Sequence, residues 1–275
     1  MLLITGYAFV TGGGSGICKA VCEAFAKSGV DGLLVADINL ESATGTAQAV
    51  KALATNPNFR AEAVQIDVAK EESVAAATQR MLEVFGRIDY CVNGAGVAGN
   101  SARVTDFPLE DFERVMGVNA QGTFIVLKVV LAAMASQEAH VIDPALPARG
   151  VTRGAIVNLG SIASHIGISA AVAYVASKHA VLGMTKVAAL ENAKHNIRVN
   201  CLCPSWVATP MINAAMKAKP TLEASILSQS PQGRLALPEE IADIAVFLCS
   251  THANWINGSS YGADGAWLSG FSYSG

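Results

Sequence analysis

The chain has 275 residues, of which 52% are hydrophobic and 15% charged, with a formal net charge of -3. That length suits one large α/β domain with a substantial core and leaves little room for a second. The charge balance offers nucleic acid no basic surface, so small molecules and further copies of the chain are the partners to expect.

The opening Met1-Leu2-Leu3-Ile4 is apolar, has no basic n-region and runs at once into a strand, which argues against a cleaved signal. That strand is predicted over 7–11. It feeds Thr11-Gly12-Gly13-Gly14-Ser15-Gly16-Ile17-Cys18, a glycine-rich turn opening onto a helix over 18–28. Glycines there let backbone approach a pyrophosphate, and the helix start offers free N–H groups and a favourable dipole. The next strand, 32–36, ends in Val35-Ala36-Asp37, with the acid about 20 residues beyond the turn. A carboxylate there accepts from both adenosine ribose hydroxyls and repels a 2'-phosphate. Neither Ser15 nor Ile38 supplies the base that such a phosphate requires, so NAD is favoured over NADP. Capping of the helix that starts near Asn39 is the competing role for Asp37.

Helical period follows over 40–54, a strand over 63–66, a helix over 73–85 and a strand over 90–93 that runs into Asn93-Gly94-Ala95-Gly96. A long helix is predicted over 112–135. Its most apolar part, Phe124 to Ala135, contains Lys128 and is too short to span a bilayer, so no membrane partner and a cytoplasmic location are expected. The segment 140–153, with Pro144, Pro147 and Gly150, reads as a surface excursion. A strand over 155–159 then leads through Asn158-Leu159-Gly160 to Ser161, and a helix over 173–193 carries Tyr174-Val175-Ala176-Ser177-Lys178. After a strand over 198–202, the stretch 205–234 reads as short helices on a flap of the kind that covers binding sites. Strands alternating with helices imply βαβ units and a doubly wound parallel sheet, with ligands beyond the carboxyl ends of the strands.

The six cysteines form no CxxC pair and have no spaced histidines beside them, so buried free thiols and no metal are expected. His165 and His179 lie near the serine and tyrosine, where surface or structural roles compete with ligand contact. Tyr174 and Lys178 stand one turn apart on one helix face, and an ammonium beside a phenol favours the phenolate, which suits an acid/base. Such pairs also arise by chance; their weight comes from their company.

Together with Val118-Asn119-Ala120-Gln121-Gly122 and Pro204-Ser205-Trp206-Val207-Ala208-Thr209-Pro210, these motifs resemble the short-chain dehydrogenase/reductase family in order and spacing, from Tyr7 to Gly265. The resemblance implies a Rossmann-type doubly wound sheet of seven parallel strands with helices on both faces. It also implies a catalytic tetrad of Asn119, Ser161, Tyr174 and Lys178, Ser161 standing thirteen residues before Tyr174. Tyr174 would exchange a proton with the substrate oxygen, Ser161 would hydrogen-bond that oxygen, Lys178 would bind the nicotinamide ribose, and Asn119 would hold a relay water. The cofactor contacts implied are Gly12, Ser15, Gly16, Ile17, Asp37, Ile38, Asp67, Val68, Asn93, Ala95, Gly96, Tyr174, Lys178, Pro204, Val207 and Thr209. A turn or helix cap is the competing role for Asp67.

Four positions depart from the family pattern: Cys18 replaces the last glycine of TGxxxGxG, Gly94 the second asparagine of NNAG, Ser205 the glycine of the PG turn, and Ala266 the second glycine of DGG. Cys18 predicts a cradle that still binds NAD, its helix displaced slightly outward. The substrate would sit between Ser161, Tyr174 and the flap, against Met211 and apolar neighbours such as Ile162, Ile166, Val207, Ile212 and Met216, with the aromatic tail 267–273 closing the pocket or packing on a neighbouring subunit. The expected protein is an NAD(H)-dependent oxidoreductase interconverting a hydrophobic or cyclic secondary alcohol and its ketone, assembled as a dimer or tetramer. A cofactor-binding scaffold and a non-redox isomerase or cyclase of the same fold remain the alternatives.

Overall fold

Short apolar runs bounded by glycine, asparagine or aspartate make the strands, and amphipathic segments between them make the helices. The computed structural model describes residues 4–218 and 221–270. Its elements in order are β1 (Tyr7–Thr11), α1 (Gly16–Lys27), β2 (Gly32–Asp37), α2 (Leu40–Lys51), β3 (Arg60–Gln65), α3 (Glu71–Phe85), β4 (Tyr90–Asn93), α4 (Leu109–Met116) and α5 (Gly122–Ser136). They continue with β5 (His140–Val141), β6 (Val151–Thr152), β7 (Gly154–Leu159), α6 (Val172–Asn192), β8 (Ile197–Pro204), α7 (Pro210–Ala218), α8 (Thr221–Gln229), α9 (Pro238–Cys249) and β9 (Ser260–Ala263).

Seven strands form one parallel sheet in the order β3-β2-β1-β4-β7-β8-β9. Neighbouring residues on a strand point to opposite faces, so the sheet buries two layers. Val10, Leu33, Val35 and Val157 pack with Phe25 of α1 and Ala245 of α9 on one side. Phe9, Leu34 and Ile156 pack with Met81 of α3 and Val126 and Val130 of α5 on the other. The strand order reverses between β1 and β4, the place where such sheets open a crevice. Register sets Thr11 beside Asn93 and Asn93 beside Asn158, so three polar residues form a row at the carboxyl edge.

Several boundaries differ from expectation. The predicted helix 112–135 begins at Leu109 and is broken by a π turn at Gly117–Gln121. The strand predicted at 63–66 is Arg60–Gln65, and that at 198–202 extends over Ile197–Pro204. The 140–153 excursion contains the antiparallel pair β5–β6, and the flap consists of α7 and α8, with Lys219 and Pro220 outside the described residues. Residues 1–3 and 271–275 also lie outside, including the end of the aromatic tail.

Among the described residues one helical run, Leu109–Ser136, is long and apolar enough to cross a membrane, and half of its most apolar window is buried inside the molecule. All six cysteines are free and buried. Arg198 is buried too, donating to the carbonyls of Leu248, Cys249, Ser250 and Ile256 and so satisfying the end of α9. Burial lowers its pKa.

Candidate active site

The glycine turn follows β1 directly. Gly12 has φ +73°, and a Cβ there would stand 3.0 Å from the backbone of Ala95, so the loop after β1 and the loop after β4 run in backbone contact. Only glycine fits both the left-handed conformation and the approach. Ser15 is the extended N-cap of α1 but makes no capping bond with its side chain, and the first turn has no acidic residue. The N–H groups of Gly16 and Ile17 therefore begin a helix whose positive end is open to an anion. Asp37, at the end of β2, accepts from Gly14 N (2.9 Å) and Asn39 N (2.9 Å), which holds its carboxylate at the rim of the turn. The helix cap itself is Asn39, which accepts from Ser42 N. Ile38 stands beside Asp37, 63% exposed.

Past β3, Asp67 accepts from Ala69 N (3.1 Å) and lies 3.3 Å from Lys70 Nζ, so its carboxylate serves the turn. Val68 is buried with the α5 core layer. At the end of β4, Thr11 Oγ1 accepts from Gly94 N and Ala95 N and donates to Asn93 Oδ1 (3.3 Å). Asn93 Nδ2 donates to Asn158 Oδ1 (3.2 Å) and Thr123 O (3.3 Å), and Asn158 Nδ2 donates to Thr185 Oγ1 (2.9 Å). This buried row ties β1, β4, β7 and α6 together under the site. Within a low-dielectric interior such a satisfied chain fixes positions closely.

Asn119 sits in the π turn, where Gly122 N reaches back to Gly117 O. Thr123 Oγ1 donates to Asn119 O (2.7 Å), closing a carbonyl in the widened turn. Insertions of this kind turn a side chain away from its helical direction and are frequent at functional sites. Here Asn119 clamps both backbone groups of Val97: Oδ1 accepts from Val97 N (2.8 Å) and Nδ2 donates to Val97 O (2.9 Å). Nδ2 also donates to Ser177 Oγ (3.1 Å), whose own proton goes to Tyr174 O (2.8 Å).

Lys178 is buried, its Nζ 2.7 Å from Leu159 O and 5.6 Å from the centre of the Tyr174 ring. Ser161 Oγ accepts from Ala163 N (3.1 Å), which leaves its hydroxyl proton to donate elsewhere. Ser164 Oγ locks this turn, accepting from Ser161 N (3.2 Å) and donating to Lys178 O (2.8 Å). The structure thus gathers Asn119, Ser161, Tyr174 and Lys178 around the carboxyl edge of β4 and β7, beside Gly96, whose Cβ position lies 3.2 Å from Asn119 Oδ1 and 3.9 Å from Lys178 Nζ.

Pro204 ends β8, and Val207 is buried in an isolated bridge with Ala236. Thr209 caps α7 through Ile212 N, and a Cβ on Gly16 would stand 3.4 Å from Thr209 Cγ2, which sets the flap base against the start of α1. Met211 is 51% exposed on α7 and makes no part of the packed core. His165 binds Ser260 Oγ (2.7 Å) and His179 binds Val175 O (3.0 Å). A surface depression of ≈ 680 Å³ lies along Val172, Val175, Ala176 and His179, the face of α6 opposite Tyr174 and Lys178, and is separate from the tetrad. Among the described residues no three His, Cys, Asp or Glu side chains are placed to hold a metal ion.

Thr11, Asn158, Ser164, Ser177 and Thr185 are the supporting residues that sequence reasoning passed over. Their signal was a polar residue where a buried strand or helix face otherwise carries apolar ones.

A family model described as enoyl-(acyl carrier protein) reductase matches residues 12–267. A short-chain dehydrogenase of Aspergillus ruber is 48% identical over 263 residues, covering 95% of this chain and 96% of that protein. A cyclohexanol dehydrogenase of an Acinetobacter species is 37% identical over 262 residues, covering 95% and 94%. The crystal structure of a 3-ketoacyl-(acyl-carrier-protein) reductase from Brucella melitensis complexed with NADH matches with a TM-score of 0.80 at 29% identity, covering 95% of this chain and 98% of that one. The chain belongs to the short-chain dehydrogenase/reductase family, oxidoreductases that work with a nicotinamide cofactor.

Proposed function

We propose that residues 1–275 form one catalytic domain, an NAD(H)-dependent oxidoreductase that interconverts a hydrophobic or cyclic secondary alcohol and its ketone, with Tyr174 as general acid/base. The observation that carries this reading is the Tyr174–Lys178 pair, with Lys178 Nζ 5.6 Å from the tyrosine ring and held 2.7 Å from Leu159 O, two residues before Ser161. A dinucleotide fits the residues at hand: the close-packed Gly12 leaves room for a pyrophosphate, the open start of α1 attracts it, and the anchored Asp37 favours NAD. Asp67, Val68, Asn93, Ala95 and Gly96 would flank the adenosine, and Pro204, Val207 and Thr209 the carboxamide.

Bound NAD supplies a hydride acceptor at C4 of its nicotinamide. During oxidation Tyr174 Oη takes the hydroxyl proton as the carbinol hydrogen leaves as hydride; reduction reverses both transfers. Ser161 donates to the substrate oxygen and fixes its angle, Lys178 orients the nicotinamide ribose, and Asn119 holds the backbone of Val97 and a relay water. Met211 and its neighbours on the flap supply apolar contact, which accords with a related protein being a cyclohexanol dehydrogenase. The exposed Phe124, Val187 and Leu190 of α5 and α6 are the apolar surface for a second copy, giving a cytoplasmic dimer or tetramer.

The test is initial-rate kinetics with NAD and NADP against cyclohexanol and straight-chain secondary alcohols. NADH formation is expected on ring alcohols, with kcat/KM at least about tenfold lower for NADP because of Asp37. A preference for NADP, or no dinucleotide reduction with any alcohol or oxidation with any ketone, would overturn the reading.

A further inference from the structure

We propose that Cys18 and Gly94 act as one interlocked positioning pair, setting the floor of the dinucleotide cradle and, through Leu159, the place of the Lys178 ammonium. A Cβ built on Gly94 would fall on Cys18 Sγ and stand 2.9 Å from Leu159 Cδ1. The thiol thus fills the volume that any side chain at position 94 would need. Cys18 and Leu159 are both buried in the same core layer, under α1 and the sheet edge.

The backbone on both sides of the contact is anchored. Gly94 N and Ala95 N are tied to Thr11 Oγ1, and Cys18 sits in the first turn of α1, the helix whose start would face the cofactor. Leu159 carries the carbonyl that accepts from Lys178 Nζ at 2.7 Å, and Ser161 follows two residues later. A shift of Leu159 that reaches its backbone would move both the acceptor of the ammonium and the turn that presents the serine. Burial pushes the Cys18 thiol up to about 12, so it serves as a small apolar filler and not as a nucleophile. The two departures from the family's glycine and asparagine are then a single steric exchange: bulk has moved from the end of β4 to the first turn of α1.

The inference rests on the cofactor reading above. Its test is a double-mutant cycle of wild type, Cys18→Gly, Gly94→Ala and the two combined, read by NADH dissociation constant, kcat on a ring alcohol and melting temperature. In the wild-type background Gly94→Ala is expected to weaken NADH at least about tenfold and to lower kcat; in the Cys18→Gly background the same change is expected to cost less than about threefold. Equal factors in both backgrounds would overturn the pairing, and a change confined to melting temperature would overturn its positioning role. If Gly94→Ala alone does not fold, a folded, NADH-binding double variant supports the pair and an unfolded one overturns it. A wild type that binds no NADH overturns the cofactor reading and the cradle role with it, while additive or non-additive melting temperatures still decide the steric exchange separately.

Discussion

Around Asn93 and Asn158 the polar side chains are buried and paired in an unbroken row from Thr11 to Thr185. Across the flap, 205–234, only Val207 and Ile226 among the described residues are buried. The flap is held at its base by the Ser205 N–H on Ala263 O, the Val207–Ala236 bridge and Thr209 against the start of α1, and at its far end by Gln232 beside the Gly265 turn and the bidentate pair of Arg234 with Glu240. A reaction that depends on proton and hydride positions calls for the first kind of construction. The second kind of construction gives a segment of low local stability.

The contrast can be broken most forcefully in the buried row. Asn158→Leu removes the acceptor of Asn93 Nδ2 and the donor to Thr185 inside the core, and should cost about 2–3 kcal/mol in denaturant unfolding along with part of the turnover. A loss no larger than that of a surface substitution would show the row to be incidental. Ala266, in the turn that touches the flap, has φ +73°, a strained angle for a residue with a Cβ. Ala266→Gly should therefore gain roughly 1 kcal/mol, seen as a higher melting temperature; a decrease would mean that alanine is favoured there. Met211→Ala, on the flap, should leave stability within about 0.5 kcal/mol while raising KM for ring alcohols several-fold at nearly constant kcat. A fall in kcat with unchanged KM would place Met211 outside the substrate pocket.

The smallest effect concerns the flap's anchor. Arg234 and the Leu237 N–H hold the Glu240 carboxyl down from 4.5 to about 2. A carboxyl lowered in the folded state stabilises above its unfolded value and loses that contribution as pH falls through the folded one. The melting-temperature gap between wild type and Glu240→Gln should thus be constant above about pH 5 and shrink toward pH 2. A gap that widens in acid would contradict the anchor.

The placement of the glycine turn, of Asp37 at the end of the second strand and of Tyr174 and Lys178 one turn apart was legible in the sequence, because close backbone approach, strand ends and helical spacing each demand particular residues at particular intervals. The π turn was not, since nothing in helical period separates Gly117–Gln121 from its flanks, and it alone explains how Asn119 reaches Val97. The pair β5–β6 and the edge strand β9 were missed for their shortness, two and four residues, and for lacking a buried apolar run. Cys18 and Gly94 each looked like an isolated departure, and only the fold brings them into contact. Of the other two, Ser205 takes no left-handed backbone and costs nothing in conformation, whereas Ala266 does.

The central claim is that Tyr174 performs the proton transfer at a cofactor site that does not depend on its hydroxyl. NADH binding and steady-state turnover of Tyr174→Phe test it together. The dissociation constant should stay within about threefold of wild type while kcat falls by about 10²- to 10⁴-fold. Wild-type turnover by the phenylalanine variant, with NADH bound as before, would contradict the assignment.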